Sequence, residues 1–241
     1  MWAILSGIEG NFVAYEAMLA DIKRQRVAVE ELYILGDIVA ANADSEKVVQ
    51  RIQNPLPGEL KPQVCVGWWE EQCFALHGLG LTAEPTELID RFGKETAKHL
   101  WDSVSRETVR WLRGCHFGFF ELDCLLIHGS SVSASDELTP ETQPWKMLDR
   151  LQRVQANRLF CGRSGLAFEY QLQEGSVNSS VMSLDRQQPL QTMTVSKRKV
   201  VGVGNVGRVW GKATYTLYNP DSDRLKFKTV GYGNNRELSR S

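Results

Sequence analysis

Three observations predict an α/β fold for this chain. Up to Gly162, short apolar runs alternate with stretches of helical periodicity, the pattern of strands joined by helices. After Gly162 that alternation gives way to short strand-like runs set off by turns, which read as antiparallel sheet. A length of 241 residues with 42% hydrophobic content can bury a full core, and no repeat or low-complexity segment divides the chain, so residues 1–241 are expected to form one domain.

The elements follow in order. Residues 2–5 are an apolar strand, followed by the turn Ser6-Gly7-Ile8-Glu9-Gly10. A helix then starts at about Asn11, an N-cap, with Tyr15, Met18, Leu19 and Ile22 on one face. Residues 32–35 form the next strand, ending at Gly36-Asp37, and a short helix covers 45–52. Pro55, Pro57 and Gly58 enforce a loop, and a third strand over 63–66 runs into Gly67-Trp68-Trp69-Glu70-Glu71. Helices are predicted over 85–101 and 105–112, the second capped by Ser105 and stopped by Gly114. One or two strands within 119–127 close on His128-Gly129. The polar loop 130–144 is long enough to suggest a role, and a helix near 145–155 leads to a strand at 158–161. Further strands are expected at 166–172, 190–195, 200–203, 213–217 and 225–230.

Charge and composition exclude several classes. The formal net charge of −1 gives no global attraction to nucleic acid or to an anionic membrane, and no apolar run approaches the length of a membrane span. The N-terminus has no basic leader, so a cytoplasmic location is expected. The odd set Cys65, Cys73, Cys115, Cys124 and Cys161 contains no CxxC pair and sits in or beside apolar runs. These residues read as reduced, buried filler. Lys197-Arg198-Lys199 is a solvated turn, too short a patch for nucleic acid. The stretch 202–207 has the glycine spacing of a dinucleotide fingerprint, but strands rather than a helix follow it, so that reading fails.

Five loops, each after a strand, carry the chemistry: Ser6-Gly7-Ile8-Glu9-Gly10-Asn11, Leu35-Gly36-Asp37-Ile38-Val39, Val66-Gly67-Trp68-Trp69-Glu70-Glu71, Leu126-Ile127-His128-Gly129-Ser130 and Phe160-Cys161-Gly162-Arg163-Ser164-Gly165. Their order and spacing resemble the calcineurin-like metallophosphoesterases, in particular the small bacterial and archaeal branch, whose loops read approximately SD-I-HGN, LGD-x-V, GNHD, HG and GH-x-H. The stretch 105–112 looks like that family's helix before its HG strand. The stretch 202–207, followed by Ala213-Thr214-Tyr215, looks like its C-terminal strands. The resemblance covers nearly the whole chain. It implies a four-layer α/β/β/α sandwich of two mixed sheets, with the site where the loops meet. Family members hold two divalent ions on Asp, His and Asn side chains and use them to generate a hydroxide and neutralise phosphoryl oxygens.

Measured against that family, most ligand positions are changed. The first-loop Asp falls on Gly7 and the first-loop His on Glu9. The Asn and His of GNHD fall within 68–70, where indole offers no lone pair, and the two His of the last motif fall on Arg163 and Gly165. Only Asp37 and His128 survive unchanged, with Glu9 as a further oxygen donor. No cofactor is therefore expected. The resemblance leaves a pocket of Glu9, Asp37, Trp68, Trp69, Glu70, His128, Arg163 and Ser164 without catalytic residues, and Arg163 is expected to pair with Asp37, Glu9 or Glu70 in place of the metals.

Each residue also has a structural reading. Asp37 can cap a turn, and His128 can be a hydrogen-bonded structural histidine. Glu9, Glu70 and Glu71 can favour a helix start. Trp68 and Trp69 can be core; adjacent on a strand, they would face opposite ways, leaving at least one exposed. The functional expectation is a non-catalytic pseudo-phosphoesterase binding an unidentified protein partner or a small anion, with no nucleic acid or membrane partner. One alternative is a phosphatase or phosphodiesterase with a reduced, mononuclear site using Asp37, His128, Glu9 and Glu70, the first three as ligands of a weakly bound Mn, Fe or Zn ion. Another is a structural or assembly factor.

Overall fold

A computed structural model describes residues 1–80, 85–173, 175–179, 191–195 and 197–233, with only the backbone considered in 175–179 and 191–195. One sheet has the order β12-β11-β1-β2-β3. It is built on β1 (Trp2–Leu5), β2 (Glu31–Leu35), β3 (Gln63–Cys65), β11 (Lys212–Asn219) and β12 (Arg224–Gly231). A second five-stranded sheet, β4-β5-β6-β10-β7, is formed by β4 (Gly118–Glu121), β5 (Cys124–Ile127), β6 (Arg158–Cys161), β7 (Ala167–Leu172) and β10 (Arg198–Val203). A separate hairpin pairs β8 (Gly175–Ser179) with β9 (Gln191–Val195); Leu190, the first residue of the strand expected there, lies outside the described residues.

Alternation along the strands explains the layering. In β1, Trp2 and Ile4 point between the two sheets, with Tyr33, Leu35, Leu126, Phe160, Val201, Val203 and Tyr218. Ala3 and Leu5 point the other way, into a core shared with the helices α1 (Phe12–Lys23), α2 (Ser45–Gln53), α3 (Trp68–Leu76), α4 (Thr86–Ser103) and α5 (Arg106–Leu112). On the far side, α6 (Pro144–Gln152) covers the second sheet through Met147 and Leu151 against Leu125, Leu159 and Val200. Helices therefore flank two facing sheets, giving the α/β/β/α sandwich.

Most local rules hold. Asn11 caps α1, its Oδ1 accepting the Ala14 N–H at 3.1 Å, and Tyr15, Met18, Leu19 and Ile22 are the buried face. Ser105 caps α5 by accepting the Thr108 N–H at 3.2 Å. The long loop 130–144 is pinned to α6, with Asp136 paired to Lys146 at 2.8 Å and to Arg150 at 2.7 Å. The five cysteines are free, and all but Cys115 are buried. Burial pushes the thiols of Cys124 and Cys161 up to about 12, which leaves them protonated and unreactive. No helix among the described residues is long and apolar enough to cross a membrane.

The strands after Gly162 pair with one another antiparallel, as expected: β10 with β7, β11 with β12 and β8 with β9. β10 also runs parallel to β6, so the second sheet is mixed, as the resemblance implies. One expectation is corrected. Residues 68–71 are not a strand-end loop but the first turn of α3, which buries both tryptophans. Trp68 and Trp69 both enter the core shared with the helices, and each also packs on the half-exposed Phe92, with ring centroids 5.8 and 5.3 Å away.

Candidate functional site

β1, β2 and β3 run parallel in one sheet, and β5, β6 and β10 run parallel in the other. Their carboxyl ends bring the five loops together with the turn after β10, as expected for a site at strand ends. Two residues there hold left-handed backbone without being glycine, Glu9 (φ 52°) and Asp37 (φ 53°). Hydrogen bonds over-determine both. The Glu9 N–H donates to the Asp37 carbonyl at 2.9 Å, and the Asp37 N–H donates to Glu70 Oε2 at 2.7 Å.

Glu70 is fully buried, and its carboxylate is consumed by backbone. Oε2 also accepts the Gly67 N–H at 2.8 Å, and Oε1 accepts Ile38 N–H at 2.8 Å and Val39 N–H at 3.1 Å. A side chain at Gly67 would strike Asp37, so glycine is what lets the two loops approach this closely. Burial and the neighbouring Asp37 charge push the Glu70 carboxyl up to about 7, against the pull of these donors.

Asp37 has no exposure, and both of its oxygens are engaged. Oδ1 accepts the Trp69 N–H at 2.9 Å, and Oδ2 accepts Nη2 of Arg208 at 2.8 Å. His128 Nε2 lies 3.3 Å from the same Oδ2, close enough for charge attraction but without hydrogen-bond alignment. Nδ1 of His128 sits 2.7 Å from the Leu35 carbonyl, which also accepts the Ser6 hydroxyl at 2.6 Å. Burial opposes a charge on either partner, yet the His128 and Arg208 charges hold Asp37 well below the usual carboxylate range, and Asp37 in turn holds His128 above the usual histidine value.

Arg208 is the residue that sequence reasoning missed. Its Nε donates to Glu9 Oε1, Nη2 to Asp37 and Nη1 to the Arg163 carbonyl at 2.9 Å. Burial nevertheless raises the Glu9 pKa, with Arg208 working against it. The guanidinium lies against two glycines: a Cβ on Gly7 would come within 3.3 Å of its Nε, and one on Gly165 within 2.6 Å of its Nη1. These are two of the positions where the resemblance places metal ligands, so the side chain of Arg208 lies where a ligand at either position would begin. The available signal was its place directly after the glycine-containing stretch 202–207.

The expected pairing of Arg163 with a carboxylate is therefore corrected, because Arg208 already holds both Glu9 and Asp37. Among the described residues Arg163 forms no ion pair. Its backbone N–H donates to the His128 carbonyl at 2.8 Å, and its guanidinium stacks on Trp68, 4.6 Å from the ring centroid. Ser164 lies at the rim, its hydroxyl 3.4 Å from the Leu166 N–H. The expectation that one tryptophan would be exposed also fails: Trp68 is 1% and Trp69 7% exposed.

A pair of divalent ions does not fit this donor set. Asp37 and Glu9 are already engaged by a guanidinium, Glu70 by four backbone N–H groups, and His128 by the Leu35 carbonyl and the Asp37 charge. Among the described residues no three His, Cys, Asp or Glu side chains converge as a metal-binding group. An incoming cation would also meet the positive charge of Arg208.

The hypothetical protein PH1004 from Pyrococcus horikoshii OT3 superposes with a TM-score of 0.69 at 21% identity, over 100% of this chain and 92% of its own. A metallophosphoesterase from Sphaerobacter thermophilus superposes with a TM-score of 0.65 at 18% identity, over 96% of this chain and 89% of its own. No protein-family model matches the chain, and no curated protein matches it in sequence. These likenesses, with two facing mixed sheets whose loops gather at the carboxyl ends, establish that the chain has the calcineurin-like metallophosphoesterase fold.

Proposed function

We propose that this chain is a pseudo-phosphoesterase, a protein that works by binding through a remodelled cleft rather than by metal-dependent hydrolysis. The observation that carries this reading is the Arg208 guanidinium bridging Glu9 and Asp37 against Gly7 and Gly165. Hydrolysis in this fold depends on two ions that polarise the ester and supply a hydroxide. Here two carboxylates face one guanidinium and one imidazole raised toward its charged form, so charge is already balanced within the protein. A closed set of this kind anchors the loops and leaves no donor directed at a nucleophilic water.

The proximity of His128 to Asp37 favours a second reading, an enzyme with a reduced mononuclear site. One assay separates the two: hydrolysis of an aryl phosphate ester by the purified chain with added manganese, repeated on Asp37→Ala. The binding reading predicts the same background rate for both. Turnover in the wild type that Asp37→Ala abolishes would overturn it.

A further inference from the structure

Arg163 is 8% exposed, yet its side chain makes no hydrogen bond or ion pair among the described residues. Its Nε is sealed from water without a partner, as is Nε1 of Trp68, the indole on which the guanidinium lies. Both are donors without acceptor capacity, so an acceptor is what would satisfy them. The terminal nitrogens of Arg163 are not among the sealed atoms, and the charges of Asp37 and Arg208 act on the group.

A second cation approaches the same indole. Arg91 lies 5.8 Å from the Trp68 ring centroid, and its exposed side chain pairs with Glu87 at 3.2 Å. Burial, together with the charges of Arg208 and Arg91, works against the Arg163 charge. Asp37, Glu71 and Glu137 attract it without forming an ion pair. Asp37 is already matched by Arg208, and among the described residues no carboxylate lies within ion-pair distance of Arg163.

We infer that Arg163, stacked on Trp68 and supported by Arg91, is a metal-free recognition site for a phosphate-type dianion. This rests on the reading of the cleft as a binding site without metal. The guanidinium fork takes two oxygens of the anion, and stacking on the indole fixes the plane of that fork. A dianion suits Arg163 better than a monocarboxylate, because the nearby Arg91 charge adds to the attraction for the second negative charge.

The test is calorimetric titration of the EDTA-treated full chain with inorganic phosphate, with acetate as a second arm. Wild type, Arg163→Ala, Arg163→Lys and Arg91→Ala are compared after circular dichroism confirms folding. Phosphate is expected to bind wild type without metal, and Arg163→Ala to lose roughly tenfold or more in affinity. Arg163→Lys, which keeps the charge without the fork, falls between, and Arg91→Ala weakens phosphate more than acetate. Should Arg163→Ala not fold, Arg163→Lys decides alone: undiminished phosphate affinity overturns the inference. Acetate binding as tight as phosphate overturns the dianion assignment. No phosphate binding with or without manganese overturns the site but leaves the metal-free reading standing. Binding that needs manganese and is lost in Asp37→Ala overturns both.

Discussion

Arg208 and Arg163 sit in the same cleft with opposite energetics. Arg208 has three directed partners, two of them carboxylates. Arg208→Ala leaves Asp37 buried beside an unmatched Glu9, and is expected to cost about 3–5 kcal/mol in urea unfolding. Arg163→Ala loses a stacking contact worth about 0.5–2 kcal/mol but also relieves a charge with no partner, so its stability should stay within about 1 kcal/mol of wild type. A larger loss in Arg163→Ala than in Arg208→Ala would reverse the assignment. Glu70→Gln replaces one acceptor oxygen by an NH₂ facing backbone N–H groups. Measured above pH 8, where Glu70 is ionised, it should cost about 1–3 kcal/mol for the donors left unpaired.

At the scale of elements, α5 is tied to α2 by one side chain. Glu46 accepts the Ser105 N–H at 2.6 Å and the Thr108 hydroxyl at 2.8 Å. Glu46→Ala should cost about 1–2 kcal/mol, as other cap losses do, and should speed amide exchange at the start of α5. Elements of this kind were legible because their signals are local: the Ser105 cap, the buried face of α1, and strand β6 over the residues expected for it. The start of α3 is half legible: Glu70 and Glu71 mark a helix start, but Gly67-Trp68-Trp69 carries no side-chain N-cap. Its start is fixed instead by Glu70 reaching back to Gly67 and across to 37–39. Sheet order after Gly162 was illegible for a related reason, since the pairing of β10 with β6 is a long-range choice with no local marker. At the site, Asp37, His128 and the lost ligands could be read from loop motifs, whereas Arg208 enters from a turn 171 residues away in sequence from Asp37.

For the whole molecule, acid should act through carboxylates held in their charged form. Asp37 lies well below its ordinary value, and Glu59, which is paired with Lys23 and Arg51, falls to about 2. Both pKa values are lowered on folding, so the stability they contribute is complete above the unfolded values near 4 and is lost as pH falls through the folded ones. Urea unfolding followed from pH 6 to pH 2 should show stability falling below about pH 4.5, at a slope of up to about 1.4 kcal/mol per pH unit for each proton taken up. Glu59→Gln should flatten part of that slope and leave the remainder, which Asp37 shares with the ion-paired Asp123, Asp136 and Asp223. An unchanged slope would remove Glu59 from the account.

The same molecule-wide electrostatics make metal content the decisive quantity. If a guanidinium has taken the place of two divalent ions, the chain purified from manganese-, iron- and zinc-supplemented cultures and then desalted should contain far less than one equivalent of any of them by elemental analysis. Titration with manganese should show no tight site. Close to two equivalents per chain, lost together in Asp37→Ala, would contradict the account and return the protein to the metal-dependent hydrolases.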